Sequence, residues 1–183
     1  MDKVFKRVCD WNAARYAREY NNDLSMDLLR EEYTEWLDAN TETDELDALC
    51  DLVYVAMGML WKQDLDLLTP EFKAVNEDMA PVIDVMTNPV YLLSIALDKE
   101  PYLTLEETDL AYEVIGCSVA QMLVMGLNQE QILKAMHIVC DSNDSKSVSK
   151  TPANIKANTT KGEFYKPPTL KLQELLKCRS NQH

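Results

Sequence analysis

Glycine is scarce in this chain, with four among 183 residues, and strand-like alternation of polar and apolar side chains is weak. Both absences point away from β-structure, so the sequence predicts an all-α fold. Histidine is scarcer still. His137 and His183 are far apart in sequence, and His183 is the last residue. That excludes a histidine-built metal site and a Ser–His–Asp triad. His137, in the apolar stretch ILKAMHIVC, reads as a packed core histidine. Neither GxxxxGK[ST] nor GxGxxG occurs, so no glycine-rich loop cradles a phosphate. No apolar run reaches the roughly 18–20 residues of a membrane span, and the N-terminal stretch has no signal-peptide pattern. The five cysteines, Cys9, Cys50, Cys117, Cys140 and Cys178, are scattered without a CxxC pair. That argues against zinc and against a disulfide framework, and predicts reduced thiols in a cytoplasmic protein.

Basic residues are also few, and they are unevenly placed. The formal net charge is −13, made of −18 over residues 1–141 and +5 over residues 142–183. An acidic body repels nucleic acid and favours cations, so no stable nucleic-acid binding is expected. The basic tail suits anionic groups held beside the body, or is simply a solubilising appendage.

Against these absences stands one anomaly. Asp51 is the sole charge in a fourteen-residue apolar run, Ala48 to Trp61. A buried lone carboxylate costs several kcal/mol unless a cation, a proton or a metal ion compensates it. The run holds no Lys, Arg or His, and Asp47 stands one helical turn before Asp51. At about 100° per residue, Tyr54 and Gly58 continue the Asp47–Asp51 stripe. The rest of that helix's circumference is apolar, so the stripe must face an internal site. In the preceding helix, LLREEYTEWLDA, Glu32 and Glu35 fall on the shoulder of the apolar face, and Glu31 lies further towards solvent. A short loop joins the two helices, which makes antiparallel packing the simplest arrangement. Glu32, Glu35, Asp47 and Asp51 then converge. Hard oxygen ligands at this density suit Mg²⁺ or Mn²⁺ with a phosphate-bearing substrate. The bland alternative is a solvated acidic helix pair.

Helices are expected over about 2–20, 26–39 with Ser25 as N-cap, 44–63, 105–125 behind a Thr104–Glu107 capping box, and from Asn128 to about Cys140. Thr69-Pro70 and Asn88-Pro89 each look like a helix start. The expected architecture is an antiparallel bundle with a four-helix core and extra helices, residues 1–141. A basic, mostly irregular extension, residues 142–183, packs on the site and ends in a short helix near 169–177.

At these residues the chain resembles the MazG-like all-α nucleoside triphosphate pyrophosphohydrolases, in particular their phage and bacterial members related to phosphoribosyl-ATP pyrophosphohydrolase. That family's Glu-Glu-x-x-Glu helix reads Glu31-Glu32-Tyr-Thr-Glu35 here, and its acidic Asp-Leu-(Leu/Val)-Tyr stretch reads Asp47-Ala-Leu-Cys-Asp51-Leu-Val-Tyr54. The family's second pair is usually Glu-x-x-Asp. Ala48 stands where that glutamate falls, and Asp47 precedes it by one residue. Related phage-type members also carry Asn-x-x-Lys after the last helix and a Lys-rich stretch ending in Pro-Pro. These read Asn143-Asp-Ser-Lys146 and Lys161-Gly-Glu-Phe-Tyr-Lys166-Pro167-Pro168.

The resemblance implies that Glu32, Glu35, Asp47 and Asp51 bind Mg²⁺. It implies that Glu31 or Glu35 assists an attacking water, and that Asn143, Lys146, Lys166 and Tyr54 meet the substrate. Trp11, Trp36 and Tyr54 are candidate base contacts, and each also serves as a core residue. A homodimer or homotetramer is implied, in the host cytoplasm if phage-encoded. The implied reaction is cleavage of a (deoxy)nucleoside triphosphate to monophosphate and pyrophosphate. The contrasting reading is a non-catalytic acidic helical protein that binds a basic partner or mimics nucleic-acid charge. That reading gives no reason for Asp51 to lie inside an apolar run.

Overall fold

A computed structural model describes residues 1–67, 107–148 and 159–179. They form six helices: α1 Asp2–Ala13, α2 Asn22–Leu37, α3 Glu42–Lys62, α4 Glu107–Val124, α5 Gln129–Asp144 and α6 Thr169–Arg179. The fold is all-α. Among the described residues its one departure is a pair of two-residue strands, Ser147–Val148 and Thr159–Thr160, joined antiparallel with Ser147 opposite Thr160. The helix starts expected at Thr69-Pro70 and Asn88-Pro89, and the capping box at Thr104, lie outside the described residues.

α3 is the axis of the molecule. Its apolar run is buried nearly all round, and it packs against α1, α2, α4, α5 and α6. Leu46, Leu49, Leu52, Met57 and Leu60 are fully enclosed. Thr41 opens the helix, its Oγ1 accepting from the Asp44 amide at 3.1 Å. Asp64, with φ of 63°, turns the chain just past its end. Asp is among the few residues that adopt this left-handed conformation at modest cost.

Three boundaries differ from expectation, each for a visible reason. α1 ends at Ala13 rather than near 20. The amides of Arg15 and Tyr16 both return to the Asn12 carbonyl, at 3.0 and 2.8 Å, and Arg18 then reaches the Trp61 carbonyl at 2.8 Å and Asp64 at 2.5 Å. These contacts tie the connection to the end of α3. α2 is capped by Asn21, whose Oδ1 accepts from the Leu24 amide at 3.0 Å, so Ser25 lies inside the helix and buried. α5 runs a turn past Cys140. Its start is fixed by a reciprocal Asn128–Gln131 capping box. Its extra turn is held from outside, where Arg7 of α1 bridges Asp141 at 2.7 Å and Asp144 at 2.6 Å.

The described part of the tail is ordered by contacts of its own. Leu172, Leu175 and Leu176 of α6 are buried against the bundle. Lys171 meets Asp141, and Arg179 meets Glu42 at 3.0 Å and the Met125 carbonyl. Gly162 packs closely on Ser147, since a Cβ there would lie 2.8 Å from Ser147 Oγ and the hydroxyl would have to turn away. Among the described residues no single helix is long and apolar enough to cross a membrane.

Candidate active site

A cavity of about 400 Å³ opens between α1, α2, α3 and the start of the tail. The polar stripe of α3 forms one wall: Asp51, Tyr54, Gly58 and Lys62 all line it. α2 contributes Glu31 and Glu32. The end of α5 contributes Asn143, and Lys146 and Lys161 close that side. Trp11, Asn12 and Tyr16 complete the lining.

The acids sense one another. Burial, then Asp51 and Glu35, hold the Glu32 carboxyl above its ordinary value. The Asp47 carboxyl is pushed up to about 7, by burial first and then by Asp51 and Glu35. Asp51 is also raised by burial. Lys146, a hydrogen bond from Asn143 and Lys161 pull the other way. Asp51 therefore has partners the apolar run does not reveal, brought from more than ninety positions along the chain. Asp47 also feels Lys146, but no hydrogen bond from the described residues adds to it. Its Oδ1 is buried with no hydrogen-bond partner among the described residues.

These carboxylates are hard oxygen donors with too few cationic neighbours, the donor set that suits Mg²⁺ or Mn²⁺. The orphaned Asp47 oxygen agrees with that. Among the described residues, however, no three of the acids stand as a ready-made metal cluster. The fit to a divalent ion is one of chemistry rather than of a closed cage.

The expected residues do not all reach the cavity. Glu31, Glu32, Asp51, Tyr54, Asn143 and Lys146 line it. Asp47 stands behind this wall, and Glu35 is exposed although it acts on Glu32, Asp47 and Asp51. Lys166 is exposed and does not line the cavity. Its backbone N–H donates to Ser145 Oγ at 2.9 Å, and Lys161 takes the place expected of it. The β1–β2 pairing brings this about, because it returns the chain beside Lys146. Trp36 stacks on Tyr33 in the core, away from the cavity. His137 is half-buried beside the Arg7 guanidinium and does not line the cavity either.

The aromatic end is locked in place. Trp11 meets Tyr54 edge-on at 5.7 Å and Tyr16 at 5.8 Å. Its indole N–H donates to the Asn143 carbonyl at 2.9 Å. One residue thus ties the aromatic wall to the polar wall. Asn12, Tyr16, Lys62 and Lys161 were not singled out by the sequence reading. A signal for Asn12 existed: it falls four residues after Val8 and eight after Val4, on the buried stripe of α1.

A model of the phosphoribosyl-ATP pyrophosphohydrolase family matches residues 2–79. The match supports the MazG-like pyrophosphohydrolase superfamily. The matched segment contains α1, α2 and α3, hence all four expected metal ligands and the aromatic wall, but not Asn143, Lys146 or Lys161. The MazG-like match suggests a nucleotide pyrophosphohydrolase, a hydrolase acting on a phosphoanhydride. No curated protein and no solved structure matches the chain.

Proposed function

We propose that the protein cleaves a nucleoside or deoxynucleoside triphosphate between its α- and β-phosphates, releasing the monophosphate and pyrophosphate. The observation that carries this reading is one cavity that gathers Glu31, Glu32 and Asp51, the two lysines Lys146 and Lys161, and aromatic side chains. A triphosphate has matching parts: anionic oxygens that need both a cation and lysines, and a flat base.

Glu32, Glu35, Asp47 and Asp51 would hold Mg²⁺ or Mn²⁺. The bound ion would supply a polarised phosphate oxygen and a more acidic water. The chain's own residues do the rest. Lys146 and Lys161 neutralise the phosphate oxygens as compact charges on flexible stems. Glu31, on the cavity wall, takes the proton of the attacking water, and Glu35 is the alternate acceptor. The water oxygen bonds to the α-phosphorus as the α–β bridging bond breaks, and pyrophosphate leaves with that bond's electron pair. Asn143 holds Asp51 through its hydrogen bond, so the carboxylate keeps its aim. The contrasting role, an acidic protein mimicking nucleic acid, needs its carboxylates outside, whereas Asp51 lines a cavity.

The test is a panel of ribo- and deoxyribonucleoside triphosphates with MgCl₂ and pyrophosphate release as readout. At least one should be cleaved by the wild type. Asp51→Asn should abolish release while the circular dichroism spectrum is unchanged. Release by neither protein with Mg²⁺ or Mn²⁺, or full turnover in Asp51→Asn, would sink the reading.

A further inference from the structure

We infer that Asn12 reads the edge of the nucleobase, making it a specificity-determining residue of this site. The inference rests on the nucleotide reading above. Asn12 is only 7% exposed, yet it lines the cavity. It occupies the stripe of α1 that Val4 and Val8 give to the core, where an apolar side chain would pack without polar cost. Among the described residues, its side chain makes a single hydrogen bond, from Nδ2 to the Val8 carbonyl at 2.9 Å. One amide N–H and the whole of Oδ1 remain. Three of the four hydrogen-bonding positions of this carboxamide are therefore left for what enters the cavity. A neighbouring donor and acceptor on one side chain match the paired donor and acceptor on a base edge.

The surroundings favour a base over a sugar or a phosphate. Trp11, Tyr16 and Tyr54 supply aromatic faces, Leu28 and Met59 add apolar lining, and Lys62 lies over the Tyr16 ring. Gly58 lies directly against the Asn12 amide. A Cβ built there would stand 3.5 Å from Nδ2 and 3.7 Å from Oδ1, so the missing side chain leaves the amide accessible on that side. Gly58 is seven residues beyond Asp51 on the same stripe, about 10 Å along a helix rising about 1.5 Å per residue. A sugar joining base to phosphate spans that scale, with Asp51 at the phosphate end and Asn12 at the base end.

The experiment is calorimetric titration of the full chain with the monophosphates of adenosine, guanosine, cytidine and uridine in MgCl₂. It reads binding and needs no cleavage. The wild type should separate the tightest from the weakest base by about tenfold or more, as sites that hydrogen-bond a ligand do. Asn12→Ala should shrink that spread about tenfold by weakening the favoured base most. Gly58→Ala is the second variant. Its added methyl makes only van der Waals contact with the amide, and alanine is the better helix former, so the fold should hold. It should weaken the favoured monophosphate while the melting temperature holds or rises. Equal weakening of all four bases by Asn12→Ala, an unchanged spread in both variants, or a wild type indifferent to the base would overturn the inference. Base-selective binding lost in the variants, without pyrophosphate release from any triphosphate, would uphold it and reject the proposed reaction.

Discussion

Asp47 and Asp51 share a helix, a charge and a face, yet their surroundings differ. Both feel the field of Lys146, but Asp51 also receives a hydrogen bond from Asn143, whereas Asp47 Oδ1 is buried without a hydrogen-bond partner among the described residues. The Asp47 carboxyl is raised from its ordinary 3.8 to about 7, so the folded chain keeps a proton there that the unfolded chain releases. Where the folded state binds more protons, stability falls as pH rises. With divalent ions chelated, the loss contributed by Asp47 therefore spreads between pH 3.8 and about 7. Asp47→Asn removes the charge, and in EDTA at pH 8 it should melt about 2–4 °C higher than the wild type, the shift that about 1 kcal/mol makes in a chain of this size. An equal or lower melting temperature would show that the oxygen is compensated. Some of this was legible in the sequence. A charge inside an apolar run marks Asp51, and helical spacing marks Glu32 and Glu35. Asn12 was harder to see, because a single amide beside Trp11 looks like any surface residue until the Val4–Val8 stripe is followed through it. Lys161 is one of eight basic residues in the last 42, and two-residue strands leave no pattern to single it out.

At the scale of elements, α3 was the most legible, since a long apolar helix with one polar stripe has few ways to fold. The ends of α1 and α5 were not, because distant contacts set them: Arg18 on the Trp61 carbonyl for the first, Arg7 on Asp141 and Asp144 for the second. The same holds for the tail, where the buried leucines of α6 and the β1–β2 pair decide which lysine reaches the cavity. That choice has a kinetic consequence. Lys161→Ala should raise KM for the triphosphate about tenfold or more, the effect of losing about 1.5–3 kcal/mol of charged hydrogen bonding. Lys166→Ala should leave KM near the wild-type value. Steady-state kinetics on the two variants check this, and the reverse order would restore Lys166 to the role the sequence first gave it.

Over the whole molecule, the division of charge between body and tail has a structural counterpart. Part of the tail's positive charge meets acids of the body, with Lys171 against Asp141 and Arg179 against Glu42. Lys146 and Lys161 line the cavity instead, facing its acids. An acidic protein thus presents a local patch of both signs, suited to an anion that arrives with a divalent cation. The central claim is attack by water at the α-phosphorus. Hydrolysis of a cleaved triphosphate in ¹⁸O-labelled water, followed by mass spectrometry of both products, tests it most directly. The label should appear in the nucleoside monophosphate, and the pyrophosphate should stay unlabelled. Label in the pyrophosphate, or release of orthophosphate from the γ-position, would contradict it.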